Sequence, residues 1–370
     1  MPADEFMQQK LQQRKENGLL RSLRQTGHLV DFSSNDYLGF AHDPNLQDAF
    51  IDHLQKYRVK TGSSGSRLLT GNSVLAEELE NDLEDFFLAD AALLFNSGYD
   101  ANVGLLSSLP QRGDTVITDE LSHASIIDGV RLSHANRFIF KHNDLHSLEQ
   151  KLKNSSGNVY VVVESVYSMD GDRAPLLELI SRVKMYGAQL IVDEAHAIGI
   201  SRRGLVAEAG LENAVFARVI TFGKALGSHG AAVLGPNVLR NYLINFARSF
   251  IYTTAQSPHN LVATKLALQQ LGLADNAMRQ LHRNITFFRV KTASLKNRPE
   301  SDTAIQQVII PGNARVREVA KMLGENGFDV RPIVSPTVAA GQERLRICLH
   351  SFNTEEEIAR LSELLCNVIL

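Results

Sequence analysis

Two apolar runs that end abruptly in ionisable residues constrain this chain more than any other feature. The stretch over residues 189–227 reads Gln189-Leu190-Ile191-Val192-Asp193-Glu194-Ala195-His196, crosses a glycine-punctuated loop, and resumes as Arg218-Val219-Ile220-Thr221-Phe222-Gly223-Lys224-Ala225-Leu226-Gly227. Continuous apolar, β-branched runs are the pattern of central strands buried on both faces of a sheet. Ligands of such sheets bind at the carboxyl ends of the strands. The two runs therefore deliver an acid, Asp193, and an amine, Lys224, to one crevice. Alone, each has an ordinary explanation: an aspartate after a strand caps or turns the chain, and a lysine in a glycine-rich loop is a solvated charge. The tetrad from Asp193 to His196 also resembles the acidic motif of a nucleic-acid helicase, which requires a phosphate loop of the form G-x-x-x-x-G-K-[ST]. Here Gly223-Lys224 is followed by Ala225, so the hydroxyl is missing, and no such loop occurs elsewhere.

Other apolar runs repeat the pattern. They fall at residues 92–95, 115–118, 138–140, 159–163, 190–192, 219–222 and 231–234, mostly separated by enough chain for a crossover helix. This spacing predicts about seven strands in a largely parallel sheet covered on both faces. Polar residues follow several of them: Asn96-Ser97-Gly98-Tyr99, Leu121-Ser122-His123-Ala124-Ser125 and Glu164-Ser165-Val166-Tyr167-Ser168-Met169-Asp170-Gly171-Asp172. A strand, small residues and a helix start form a backbone-amide site for an anion. Convergence of several such strand ends points to an active-site crevice.

The flanking regions differ. An arm of polar helix is expected from about Asp4 to Arg24, broken near Asn17-Gly18, packing on the main body or on another subunit. A short strand enters the turn Ser33-Ser34-Asn35-Asp36-Tyr37-Leu38-Gly39, and a glycine and hydroxyl loop spans 61–72 before a helix capped by Asn72 or Ser73. Beyond Gly235-Pro236 a helical region is expected to about Leu295, followed by a smaller α+β unit with strands at 305–310 and 344–349, a strand ending at Arg331-Pro332, and a helix at about 314–324. Thr354 and Glu357 form a capping box for the last helix. The division expected is an arm at 1–34, a large domain at 35–272 and a small carboxy-terminal domain at 273–370.

Composition closes off other classes. With 370 residues, 44% hydrophobic and 21% charged, the chain can bury a large core as soluble enzymes do. A net charge of -3 supplies no field for nucleic acid or an anionic membrane, so neither is expected as a partner. Cys348 and Cys366 are the only cysteines, too few for a disulfide framework or a zinc site, and no metal is expected. No long apolar span or secretory leader is evident, which places the expected location in the cytoplasm.

An acid at one strand end and an amine just past the next are what pyridoxal 5′-phosphate chemistry needs: the carboxylate keeps the pyridine nitrogen protonated and the amine bonds the aldehyde. The ordered motifs Ser34-Asn35-Asp36-Tyr37-Leu38-Gly39, Ser97-Gly98-Tyr99, Leu121-Ser122-His123-Ala124-Ser125, Ser168-Met169-Asp170-Gly171-Asp172, Asp193-Glu194-Ala195-His196, Thr221-Phe222-Gly223-Lys224 and Arg344-Leu345-Arg346 resemble the α-oxoamine synthases. These are fold-type I pyridoxal phosphate enzymes of the aspartate aminotransferase superfamily, usually homodimers with shared active sites. The resemblance covers nearly the whole chain. It implies an α/β fold with a mostly parallel seven-stranded sheet and a smaller α+β carboxy-terminal domain.

It also implies roles. Lys224 would carry the cofactor and act as base at the amino acid's α-carbon, Asp193 would pair with the pyridine nitrogen, and His123 would stack on the ring. His196 and Ser168 would bond the phenolic oxygen. Gly98 and Tyr99 would bind phosphate through their backbone, Thr221 would add a hydroxyl, and Thr253 or Thr254 would reach the neighbouring subunit's phosphate. Arg346, assisted by Asn35, would clamp the amino-acid carboxylate, and Arg21 and Thr337 match substrate-contacting positions. The implied reaction is a decarboxylative condensation of L-alanine with a pimeloyl thioester of coenzyme A or of a carrier protein, serving biotin synthesis. Members using glycine or serine, and a catalytically silent scaffold, are the alternatives. The family often has Ala-x-His after the final arginine strand, where this chain has Leu349-His350-Ser351-Phe352-Asn353. That departure bears on the acyl donor more than on the chemistry.

Overall fold

A computed structural model describes residues 2–23, Gln25 and 27–369. The chain opens with helix α1 (Ala3–Glu16), which buries no side chain. The helix ends where Asn17-Gly18 was expected to break it, and residues 19–23 are not helical. Arg24, the expected end of the arm, lies outside the described residues.

Strand β1 (Val30–Asp31) leads to α2 (Pro44–Tyr57) and α3 (Val74–Phe87). Ser73 caps α3, accepting from the Ala76 amide, and Ala76, Leu79, Leu83 and Phe87 turn its apolar stripe into the core. From there strands and helices alternate: β2 (Ala91–Phe95), α4 (Gly98–Ser108), β3 (Thr115–Asp119), α5 (Ala124–Leu132), β4 (Asn136–Phe140), β5 (Val159–Glu164), β6 (Gln189–Asp193), β7 (Ala217–Thr221) and β8 (Ala231–Gly235).

Strands β2 to β8 form one sheet in the order β2-β8-β7-β6-β5-β3-β4. Every pairing from β7 to β4 is parallel, and β8 runs antiparallel to both β7 and β2. The carboxyl ends of β2, β3, β5, β6 and β7 thus share one edge. All five residues of β3 and of β7 are buried, as expected of strands covered on both faces. Two apolar layers sandwich the sheet: Val161, Val163, Val192 and Ile220 point into one, and Val162, Ile191 and Val219 into the other.

The expected helical region after Pro236 is divided into Asn237–Phe246, Arg248–Ile251, Pro258–Gly272 and Asp275–Lys291. A second sheet follows, of β9 (Ile305–Ile309), β11 (Arg331–Ile333) and β12 (Arg344–Cys348), antiparallel in the order β11-β12-β9. Between β9 and β11 the chain forms β10 (Phe328–Asp329), which pairs with β1 in parallel. The amino-terminal segment is therefore built into the carboxy-terminal unit, and the Cys348 amide donates to the Phe32 carbonyl at 2.8 Å. Thr354 and Glu357 exchange the two bonds of a capping box, at 2.9 and 3.2 Å, starting the helix Glu355–Ile369. No helix among the described residues is long and apolar enough to cross a membrane.

Candidate active site

The strand ends open into a cavity of about 670 Å³ of open space, lined among others by Gly98, Tyr99, Asn102, His123, Glu164, Asp193, Thr221 and Lys224. Strand β6 supplies Asp193 as its last residue, 5% exposed. Its two oxygens are held separately: Asn102 Nδ2 of α4 donates to Oδ2 at 2.7 Å, and the Ala195 amide donates to Oδ1 at 2.9 Å. Such bonds fix the carboxylate's direction without a neutralising cation. Strand β7 ends at Thr221, and Lys224 follows on the next turn. Burial pulls the lysine amine down to about 8, against the attraction of Asp193 and Glu164.

Helix α4 begins at Gly98, with Ser97 accepting from the Asp100 amide at 3.1 Å. A Cβ at Gly98 would come within 2.5 Å of Thr221 Cγ2, so only glycine lets this helix start so close to the end of β7. The first turn of α4 thereby directs unpaired amides at the cavity. Thr221 Oγ1 is buried beside them with no partner. An orphan hydroxyl, a helix amino terminus, a carboxylate and an amine around one cavity fit a phosphorylated pyridine aldehyde.

His123 caps α5 and presents its ring to the cavity. Its Nδ1 accepts from the Ser125 amide at 3.2 Å, which leaves the ring proton to Nε2 when the imidazole is neutral. Burial lowers its pKa, and Lys224 adds to this while Asp193 opposes it. Glu164, paired in register with Asp193, accepts from the His123 amide at 2.7 Å. Burial and the Asp193 charge push this carboxyl up to about 8, so it carries a proton at neutral pH.

Arg346 lies on β12, 8% exposed. Its guanidinium donates from Nε to the Ser168 carbonyl at 2.7 Å, from Nη2 to Asn35 Oδ1 at 2.9 Å and from Nη1 to Cys348 Sγ at 2.9 Å. A guanidinium has five N–H donors, so each terminal nitrogen keeps one for a carboxylate. His196 is buried, and its Nδ1 stands 2.7 Å from the Tyr37 hydroxyl.

Other expected residues lie elsewhere. Thr253 Oγ1 and the Thr254 carbonyl both accept from Asn96 Nδ2, at 2.9 and 2.8 Å, and neither residue lines the cavity. The Tyr99 side chain is 46% exposed and bonds Asp128. Arg21 and Thr337 are exposed and do not line the cavity. Asn102 and Glu164, given no role from sequence, line the cavity, whereas Asn35, Ser168, His196 and Arg346 do not.

Behind the cavity, His142 ties two strand ends together. Its Nδ1 meets Asp119 at 2.9 Å and its Nε2 meets Asp172 at 2.7 Å, with the Tyr167 ring edge-on. Burial disfavours the imidazolium, but the two carboxylates outweigh it and hold the pKa up at about 10. A folded value above the ordinary one near 6.5 gives stabilisation fully present below about 6.5 and lost as pH rises to about 10. Thermal unfolding midpoints should fall across that window, and His142→Asn should flatten the fall; parallel profiles would rule this pairing out.

The family model for aminotransferase class I and II matches residues 27–365. An 8-amino-7-oxononanoate synthase of Emericella nidulans is 43% identical over 361 residues, covering 90% of this chain and 88% of that protein. Among solved structures, an 8-amino-7-oxononanoate synthase of Francisella tularensis is 29% identical with a TM-score of 0.78, covering 92% of this chain and 97% of that one. A serine palmitoyltransferase of S. paucimobilis, bound to a PLP-myriocin aldimine, is 26% identical with a TM-score of 0.90, covering 100% and 98%.

Proposed function

Because this chain belongs to the aminotransferase class I and II family, we propose that it joins L-alanine to a pimeloyl thioester, yielding 8-amino-7-oxononanoate, carbon dioxide and the free thiol in biotin synthesis. It is a pyridoxal 5′-phosphate-dependent acyltransferase. The observation that carries the narrower reading is one cavity holding Lys224 and Asp193, set beside a buried arginine with two free donors.

When bound, pyridoxal phosphate supplies an aldehyde that captures amines and a ring that accepts an electron pair. Lys224 would hold the aldehyde through Nζ and would be the base that takes the amino acid's α-proton onto the same atom. An amine with a pKa of about 8 is partly neutral near pH 7 and can accept that proton. Asp193, its carboxylate aimed by two donors, keeps the ring nitrogen protonated. His123 stacks on the ring, while His196 and Ser168 meet its phenolic oxygen. The amides at Gly98 and Tyr99 and the Thr221 hydroxyl take the phosphate. Arg346 and Asn35 orient the amino-acid carboxylate, the group lost as carbon dioxide, and Arg21 and Thr337 match substrate-contacting positions.

The working form in this reading is a cytoplasmic homodimer, in which Thr253 or Thr254 reaches the phosphate of the neighbouring copy. Tyr252, an aromatic side chain 72% exposed at the same turn, supports it. A serine- or glycine-using synthase is the second reading, favoured by the backbone likeness to serine palmitoyltransferase. Thiol release from pimeloyl-coenzyme A, pimeloyl carrier protein and palmitoyl-coenzyme A, each with alanine, serine or glycine, decides between them. Release with serine and palmitoyl-coenzyme A alone would overturn the first. In the same assay Arg346→Ala should raise the amino-acid KM at least about tenfold, the cost of one charge-assisted bond. An unchanged KM would remove its clamp role.

A further inference from the structure

Arg346, Asn35, Tyr37 and His196 form an unbroken file of polar side chains. Arg346 Nη2 donates to Asn35 Oδ1 at 2.9 Å; the Tyr37 hydroxyl is 3.3 Å from the same oxygen and 2.7 Å from His196 Nδ1. Tyr37 is wholly buried, His196 is 4% exposed and Arg346 8%. The carboxy-terminal unit grips the segment that carries Asn35 and Tyr37. The Ser351 amide donates to the Tyr37 carbonyl at 2.8 Å, and His350 Nε2 lies 3.2 Å from Ser34 Oγ. His196, by contrast, follows β6 of the large sheet. Tyr37 thus links the smaller unit to His196.

The protons along this file are constrained. Burial holds the Tyr37 phenol far above its ordinary range, so it stays protonated and has one hydrogen to give. Burial, with Lys224 and Arg346 adding their charge, drives His196 well below its ordinary value, so its imidazole is neutral with a single N–H. If Tyr37 donates to Nδ1, that N–H must be on Nε2, and His196 shows a donor on the side away from Tyr37. If Tyr37 turns to Asn35, Nδ1 can hold the proton and Nε2 shows a lone pair. Arg346 already occupies Asn35 Oδ1, and the contact to Nδ1 is the shorter by 0.6 Å (3.3 less 2.7), so both features favour the first arrangement.

We propose that Tyr37 is a positioning residue that keeps the His196 proton on Nε2, and that Asn35 makes this placement depend on whether Arg346 holds a carboxylate. The inference rests on the function proposed above, because the carboxylate is the amino acid's and the oxygen facing Nε2 is the cofactor's. A carboxylate that takes the second Nη2 hydrogen of Arg346 weakens the bond from that nitrogen to Asn35 Oδ1, which then competes better for the Tyr37 hydrogen. The His196 equilibrium then shifts toward Nδ1–H. Amino-acid occupancy would thereby change the hydrogen bond offered to the ring before any acyl donor arrives.

The test is nitrogen NMR of histidine-labelled holoenzyme, in which protonated and unprotonated ring nitrogens have widely separated shifts. In the native protein His196 Nε2 should be the protonated nitrogen, and L-alanine alone should move the pair toward the opposite tautomer. In Tyr37→Phe the preference should be lost, with kcat down about tenfold and the amino-acid KM within about twofold, as for one lost hydrogen bond. In Asn35→Ala, which removes the competing acceptor, L-alanine should leave the tautomer unchanged; this variant tests the coupling even if Tyr37→Phe fails to fold. Identical His196 shifts in the native and Tyr37→Phe proteins, or Nδ1 protonation in the native protein, would overturn the proposal. Failure of the wider reading looks different: no visible absorbance from bound pyridoxal phosphate, whatever the His196 tautomer.

Discussion

Lys224→Ala is expected to lower turnover by about 10⁴-fold or more, because one substitution removes both the group that bonds the cofactor and the base at the α-carbon. The cofactor should still bind, since the phosphate cradle at Gly98 and Thr221 and the carboxylate of Asp193 do not involve the amine. Borohydride reduction followed by denaturation would then release all of the pyridoxal phosphate, where the native protein keeps it. Lys224→Arg should fare no better, because a guanidinium neither bonds an aldehyde nor gives up its proton near neutral pH. Turnover by Lys224→Ala at the native rate would refute the chemistry assigned to this cavity.

The parts of the site that could be read beforehand are those written locally. Lys224 and Asp193 announce themselves because each ends an apolar run, and the ends of parallel strands share an edge. Ser97, Gly98 and the Thr354–Glu357 box follow from preferences within one helical turn. What escaped notice depends on distance along the chain. Tyr37 meets His196 across 159 positions, and the pairing of β1 with β10 involves two residues of each strand, too short for any periodicity. Asn102 reads as an unremarkable mid-helix residue, yet the crossing of α4 over β6 aims it at Asp193. Glu164 ends its strand as Asp193 does, but its protonation comes from burial beside that second carboxylate. Arg21 and Thr337 were selected only by likeness to a family, and they stand exposed, away from the cavity lining.

Asp193→Asn separates chemistry from architecture most cleanly. The amide matches the carboxylate in shape but cannot hold a proton on the pyridine nitrogen, so kcat is expected to fall about 10³-fold, within the span that one positioned acid–base group contributes. The folded protein should tolerate the change better than a buried substitution usually allows. As it stands, Asp193 accepts from two donors, and an amide has only one acceptor oxygen, so it cannot satisfy both Asn102 Nδ2 and the Ala195 amide. Asn102 Oδ1 is itself buried without a partner. A flip of the Asn102 amide would turn that orphan oxygen toward the new NH₂ while the Ala195 bond is kept, at the expense of the 3.0 Å bond from Asn102 Nδ2 to Ser125 Oγ. Two bonds, one of them charge-assisted, are then given up for one neutral bond, and the stability loss should stay at about 1–2 kcal/mol. Denaturant unfolding and single-turnover kinetics on the same variant check the two halves separately. A kcat within about twofold of native would show that ring protonation does not limit the reaction, because so small a factor is under half a kcal/mol of barrier. A loss of several kcal/mol in stability would instead make Asp193 part of the scaffold, leaving the activity loss uninterpretable as chemistry.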